Sequence, residues 1–215
     1  RLDSDFMKKK YKFEPDLPHN IPTVGGVNGL WANDYGMGGL LAIEMKWMPS
    51  TVPIELKLTG MQGDVMKESM NVAKTVAWGL IPSRAQKKLQ DKLKKNCQGI
   101  HIHCPDGSTP KDGPSAGGAI TTALLSILTN RPIRNDIATT GEINLQGQIT
   151  AIGGLEEKVD AARKVGIKTV LCPRQNERAL VQIQEKFPHW FIDKDKFQVI
   201  MVDCIQDLVD RMLIQ

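Results

Sequence analysis

Between Pro110 and Gly118 the sequence Pro-Lys-Asp-Gly-Pro-Ser-Ala-Gly-Gly leaves the backbone little freedom. Each proline fixes its own φ and pushes the residue before it into an extended conformation. Gly113 opens a backbone angle closed to other residues. From Ala116 to Leu128 the chain turns helical and almost entirely apolar, with Ala119, Ile120, Ala123, Leu124, Ile127 and Leu128. A helix that is apolar on most sides is a buried helix. Whatever fold forms must therefore carry Ser115 on a stiff loop to the mouth of a helix that runs into the core. Free N–H groups at such a mouth can hold a developing negative charge. The plain alternative is that Ser115 is an N-cap, a role serine favours. Gly117 and Gly118 speak against it. Two glycines in a first helical turn cost roughly 1 kcal/mol each relative to alanine, and they make sense where another backbone or a substrate must come close.

A chain of 215 residues with 41% hydrophobic and 24% charged residues is long enough for one well-buried core. No apolar run approaches the roughly 20 residues of a membrane span. Met7-Lys8-Lys9-Lys10 is followed by Glu14-Pro15-Asp16, with no apolar stretch of the kind a secretion signal needs. Residues 1–20 are charged and broken by prolines, and read as a linker or tail. The chain begins with arginine and is expected to be a piece of something longer. Cys97, Cys104, Cys172 and Cys204 form no CxxC pair and show no ligand spacing, which fits a reducing compartment. The net charge is +4. Its densest part, Lys87 to Lys95, reads as the solvated face of a helix, so a nucleic-acid partner is not expected.

Along the chain, Gly25 to Trp31, Leu40 to Trp47, Ile54 to Leu58 and Ile100 to Cys104 read as strands. Asp64 is placed to cap a helix with apolar positions at Met66, Met70, Ala73, Val76 and Leu80. Ser83 and Gln86 have the spacing of a capping box for a helix from Arg84 to Lys95. After the Ser115 helix come a strand at Ile137, a hairpin turning at Gln146-Gly147, and a helix opened by Gly153-Gly154 and ended by Gly166. A strand at Thr169 to Cys172, a helix capped by Asn176, a strand at Gln198 to Val202 and a helix from Ile205 to Leu213 complete it. Helices and strands mix throughout around one core, an α+β (mixed α/β) single domain.

A serine is no nucleophile without a base. Gly113-Pro114-Ser115-Ala116-Gly117 matches G-x-S-x-G, but an elbow of that kind needs a strand running straight into the serine and a histidine downstream. The one histidine after Ser115 is His189, in Phe187-Pro188-His189-Trp190, a surface-loop composition. His101 and His103 share one strand face, which allows a metal geometrically, yet no third ligand is signalled. Lysine is the other base that serine nucleophiles use, provided its pKa is pulled down by burial or by positive neighbours. Lys158 lies near the start of the helix opened by Gly153-Gly154, where the positive end of the dipole disfavours an ammonium. By periodicity alone it sits beside the Leu155, Val159 and Ala162 stripe and reads as a surface lysine.

The loop Pro110 to Gly117 resembles the serine signature of the Lon proteases. Thr140-Gly141-Glu142, Gly153 to Lys158 and Gly166 to Val170 are similar to that family's later motifs, in order and spacing. Leu58-Thr59-Gly60, Gly63 to Ser69 and His101-Ile102-His103 match as well, so the resemblance covers roughly Pro22 to Leu213. It implies a Lon-like proteolytic domain over residues 21–215, with a fold similar to ribosomal protein S5 domain 2 and a Ser–Lys dyad. Ser115 is implied as nucleophile and Lys158 as base. Thr140 is implied to hold the lysine, and Asp112 to bind the lysine or regulate access. It further implies a serine endopeptidase acting on unfolded polypeptide, a ring-shaped homo-hexamer, and an upstream AAA+ module binding ATP and Mg. No G-x-x-x-x-G-K-[ST] loop occurs in this chain, so no cofactor is expected in it. The expected location is the cytoplasm, with the mitochondrial matrix as the alternative, and no membrane association. The sequence departs from the family pattern at Gln62, at Thr139 and over Leu30-Trp31-Ala32-Asn33. Two other readings start from the same features: a nucleic-acid-binding module, from the basic balance, and a non-catalytic scaffold.

Overall fold

The glycine-loosened start of the chain forms a strand because its neighbour does the packing. β1 (Gly26–Ala32) pairs antiparallel with β2 (Gly38–Pro49), Gly26 opposite Glu44 and Ala32 opposite Gly38. The computed structural model describes residues 19–105 and 112–215. Most of the expected tail, together with Pro110 and Lys111 of the serine loop, lies outside the described residues. The chain continues through β3 (Leu56–Thr59), α1 (Asp64–Gly79), α2 (Ser83–Lys95), β4 (Gln98–His103) and α3 (Gly117–Thr129). Then follow β5 (Ile137–Thr139), a two-strand hairpin of β6 (Glu142–Ile143) and β7 (Ile149–Thr150), α4 (Leu155–Lys164) and β8 (Thr169–Pro173). The last elements are α5 (Glu177–Lys186), β9 (Gln198–Val202) and α6 (Ile205–Met212).

Seven strands form one sheet in the order β3-β4-β2-β1-β5-β8-β9. The pairings make β2 antiparallel to both its neighbours and all other contacts parallel. Six strands therefore end on the same edge of the sheet. Ligand sites of open α/β sheets form outside such carboxyl ends. Side chains alternate across the sheet, as a strand requires. Leu171 joins a core with Ile43, Met45, Ile100 and Ile102 under α1, α3 and α6. Its neighbours Val170 and Cys172 point the other way, against α4 and α5, with Leu30 and Ala138. α3 is buried along nearly its whole length. Its polar side chains are satisfied inside it: Thr121 Oγ1 donates to Gly117 O at 2.8 Å and Thr122 Oγ1 to Gly118 O at 2.9 Å.

The expected strands and helices all appear, and the differences lie at their ends. β3 begins at Leu56, because Ile54 takes a left-handed φ of 53° and turns the chain. Asp64 is the first helical residue of α1, and the cap position belongs to Gly63. The Ser83–Gln86 box does not form: Pro82 precedes the helix, and the Gln86 amide donates to Trp78 O at 2.8 Å. Asn176 stands at the cap position of α5 but spends its side chain on Ile152, accepting from its N–H at 3.0 Å and donating to its carbonyl at 2.8 Å. Capping motifs describe local geometry, and for Gln86 and Asn176 a partner outside the motif takes the side chain.

The turn after β3 is the tightest point of the sheet's carboxyl edge. Gly60 has φ 102°, and a Cβ there would stand 2.0 Å from Cys104 O. Gly60→Ala is expected to lose about 3 kcal/mol of stability. Gly36→Ala, with φ 73° and no atom within 4 Å, is expected to lose about 1 kcal/mol. Urea unfolding of the two variants checks the contrast, and equal losses would show that the contact with Cys104 is without cost.

Candidate active site

Ser115 is not the N-cap of α3. Pro114 to Ala116 form a 3-10 turn that runs into the helix, and Ala116 occupies the cap position. Gly113, at φ 137°, opens that turn. The turn is fastened to the carboxyl end of β5. Gly141 N donates to Ser115 O at 2.8 Å, and Gly118 N donates to Gly141 O at 3.0 Å. The two glycines are needed for this approach. A Cβ on Gly117 would lie 3.0 Å from Ile143 N, and one on Gly118 would lie 2.9 Å from Leu208 Cδ1. The backbone of Thr140-Gly141 thus aims Ser115, a role the sequence pattern did not assign to Gly141.

Lys158 comes from the opposite side of the sheet, on the first turns of α4. Gly154 caps that helix in the left-handed region, at φ 65°. A Cβ on Gly154 would be 2.5 Å from Ala32 Cβ, and one on Gly38 would be 2.3 Å from Glu157 O. These contacts seat α4 against the end of the β1–β2 hairpin and turn Lys158 inward, where it is 3% exposed. Its Nζ lies 3.3 Å from Ser115 Oγ and 3.2 Å from Thr140 Oγ1. The Thr140 hydroxyl donates to Ser115 O at 3.4 Å, which leaves its oxygen free to accept from the lysine. Burial pulls the Lys158 ammonium down from 10.5 to about 8, while the negative charge of Glu157 pushes it up. A neutral Lys158 can accept the Ser115 proton on its lone pair and still donate to Thr140.

Asp112 stands elsewhere. Its Oδ1 accepts from Met66 N and from Gly113 N, both at 3.0 Å, and no bond joins it to Lys158. Met66 is the third residue of α1, so a carboxylate from the serine loop caps that helix from outside. A Cβ on Gly63 would fall 2.3 Å from Asp112 Cγ, so this contact also requires the glycine. His189 packs edge-on against Phe187 and Trp190, beyond α5, and makes no contact with Ser115. His101 Nε2 and His103 Nδ1 converge on Thr59 Oγ1 at 2.9 and 2.8 Å. That hydroxyl has one proton to give, so it donates to one ring and accepts from the other. No disulfide joins any of the four cysteines. No helix of the described residues is long and apolar enough to cross a membrane.

A serine hydrogen-bonded to a buried lysine at the carboxyl edge of a mixed sheet has the geometry used by the class in which Ser–Lys replaces Ser–His. Comparison with known proteins narrows that class. Residues 4–215 match the family described as the Lon protease (S16) C-terminal proteolytic domain, and the chain belongs to that family. It is 45% identical over 175 residues to Lon protease 1 of Thermus thermophilus, covering 81% of this chain and 21% of that protein. The Lon protease of Campylobacter jejuni is 41% identical over 218 residues, 98% of this chain and 26% of its own length. That of Escherichia coli K12 is 45% identical over 174 residues, 81% of this chain and 21% of its own. The chain thus spans about a fifth to a quarter of the length of these curated relatives.

Thr140 offers a test of how the lysine is held. Thr140→Val keeps the shape and removes the hydroxyl, so stability should change by about 1 kcal/mol. Peptide hydrolysis should fall about 10- to 100-fold, because Nζ loses the contact that fixes its direction. Urea unfolding and turnover measured on one preparation check this, and a parallel collapse of both would make Thr140 a structural residue.

Proposed function

We propose that this chain is the serine endopeptidase part of an ATP-dependent Lon-like protease, with Ser115 as nucleophile and Lys158 as general base. The observation that carries it is the buried Lys158 amine within 3.3 Å of Ser115 Oγ, its pKa lowered to about 8. Neutral Lys158 takes the hydroxyl proton as Ser115 Oγ attacks a peptide carbonyl, and the lysine then gives that proton to the leaving amine. Helix N–H groups near Ser115, at the positive end of α3, stabilise the oxygen that becomes negative. Thr140 holds the amine in line. Asp112 acts through α1, by fixing the loop that delivers the serine. Water completes the cycle by hydrolysing the acyl-enzyme, with Lys158 again as base.

In this reading the domain proper is residues 21–215, with residues 1–20 a linker or tail from an upstream segment. The family supports a fuller reading: unfolded polypeptides as substrates, a homo-hexameric ring, and an upstream AAA+ module that holds ATP and Mg in the cytoplasm. The test is covalent. A fluorophosphonate incubated with the chain should add its mass to the tryptic peptide carrying Ser115 and stop hydrolysis of a labelled unfolded protein. Labelling of another serine, with activity lost in step, would overturn the reading.

A further inference from the structure

The end of α3 away from the serine borders a second feature that the dyad does not use. A cavity of about 590 Å³ lies among α1, α2, the last turn of α3 and the turn before β3. Ile54, Trp78, Leu93 and Leu128 supply its apolar lining, and Lys74 and Lys94 its charge. Leu128 stands about 16 Å from Gly117 along the helix, at 1.5 Å per residue, so this cavity is separate from the Ser115 turn. Its volume falls within the roughly 300–1,000 Å³ of ligand pockets.

Two observations mark it as a binding site. The first is strain at its lip. Ile54 is β-branched yet holds φ 53°, a conformation that costs about 1–3 kcal/mol and persists where the surroundings enforce it. Here its N–H donates to Gln98 O at 2.8 Å and its carbonyl accepts from Lys74 Nζ at 3.2 Å. The second is charge. α2 carries Arg84, Lys87, Lys88, Lys92, Lys94 and Lys95 against one acid, Asp91. Lys94 approaches that acid only to 3.9 Å, with both side chains exposed. A helix face that served solubility alone would not need an apolar hole beside it.

We propose that this cavity docks a polypeptide segment that places an apolar side chain against Trp78, Leu93 and Leu128 and flanking acidic residues against Lys74 and Lys94. The choice of a polypeptide rests on the protease reading, since such a domain handles polypeptide. The basic helix selects acidic flanks, and the apolar lining selects what lies between them. The segment engages the chain at a point remote from the bond being cut, and so adds affinity without entering the chemistry.

The experiment is fluorescence anisotropy with a fluorescein-labelled peptide, Glu-Glu-Leu-Phe-Glu-Glu, added to the chain carrying Ser115→Ala. Nothing is cut in that background, so binding is read whether or not the wild-type chain is a protease. Saturable binding is expected. It should weaken at least about tenfold in the Lys74→Glu, Lys94→Glu double variant and in Thr75→Trp, an exposed lining position where the indole fills the cavity. A peptide with Ser-Ser in place of Leu-Phe should also bind at least about tenfold more weakly. Gln90→Trp, on the α2 wall, repeats the blocking test if Thr75→Trp disturbs the circular dichroism. Equal binding of the Ser-Ser peptide, or no effect of either tryptophan, would overturn the proposal. Displacement of the peptide by oligothymidylate that itself ignores Thr75→Trp would also overturn it, and would identify a polyanion surface instead.

Discussion

Ser115→Ala is expected to leave the chain folded and to reduce hydrolysis of an unfolded polypeptide by about 10⁵-fold or more. Two facts set the size of this contrast. Ser115 Oγ is bonded to Lys158 alone among the described residues, so its removal costs the fold about 1 kcal/mol. The backbone that shapes the turn is held by the Ser115 carbonyl, which alanine keeps. Turnover of a fluorescein-labelled unfolded protein and thermal unfolding by circular dichroism, on one preparation, read both numbers. A residual rate above about one-hundredth of the wild type would move the nucleophile away from Ser115.

The second large effect concerns the base. As the proposed base, Lys158 must lose its proton before it can accept one, and its folded pKa is about 8. Hydrolysis should therefore rise with pH through about 8 and level off above it. Lys158→Arg keeps the charge but cannot deprotonate in a protein, so it should be as inactive as Lys158→Ala, roughly 10⁴-fold below wild type or lower. His189→Ala should run at the wild-type rate. An activity limb near the 6.5 of histidine, with Lys158→Arg alive, would reverse the assignment. The same shift acts on stability. The unfolded chain keeps the lysine proton up to about 10.5, whereas the folded chain releases it near 8. Between those values the unfolded state binds more protons, so stability should rise with pH there, by up to roughly 3 kcal/mol. Lys158→Met should abolish that rise, which pH-resolved urea unfolding would show.

Lys158 and Asp112 differ in what fixes their place. Both residues lie in motifs that resemble the Lon family's. Periodicity placed Lys158 beside the apolar stripe of its helix, and a helix packed on one face would leave it wet. α4 packs on two: Leu155, Val159 and Ala162 meet the sheet, while Lys158 meets Ser115 and Thr140. Asp112 lies within three residues of Ser115 in sequence, yet its carboxylate turns to the N-terminus of α1. Unpaired N–H groups there outbid the lysine, and no local pattern shows which helix end will be nearby.

Local chemistry alone determined the elements and the setting of Ser115. The prolines restrict the loop before Ser115 and Gly113 admits an angle other residues cannot take, the apolar run after it has to be buried, and Gly117-Gly118 demand a close neighbour. These constraints act over a few residues, so they are legible in a single line of sequence. Tertiary structure decided which neighbour comes close, that Lys158 and Thr140 meet the serine, and that the amine titrates near 8. Burial depends on the ends of β1 and β2, on Thr140 and on the serine turn arriving together. Desolvation is a property of that assembled surface, and no residue carries it alone.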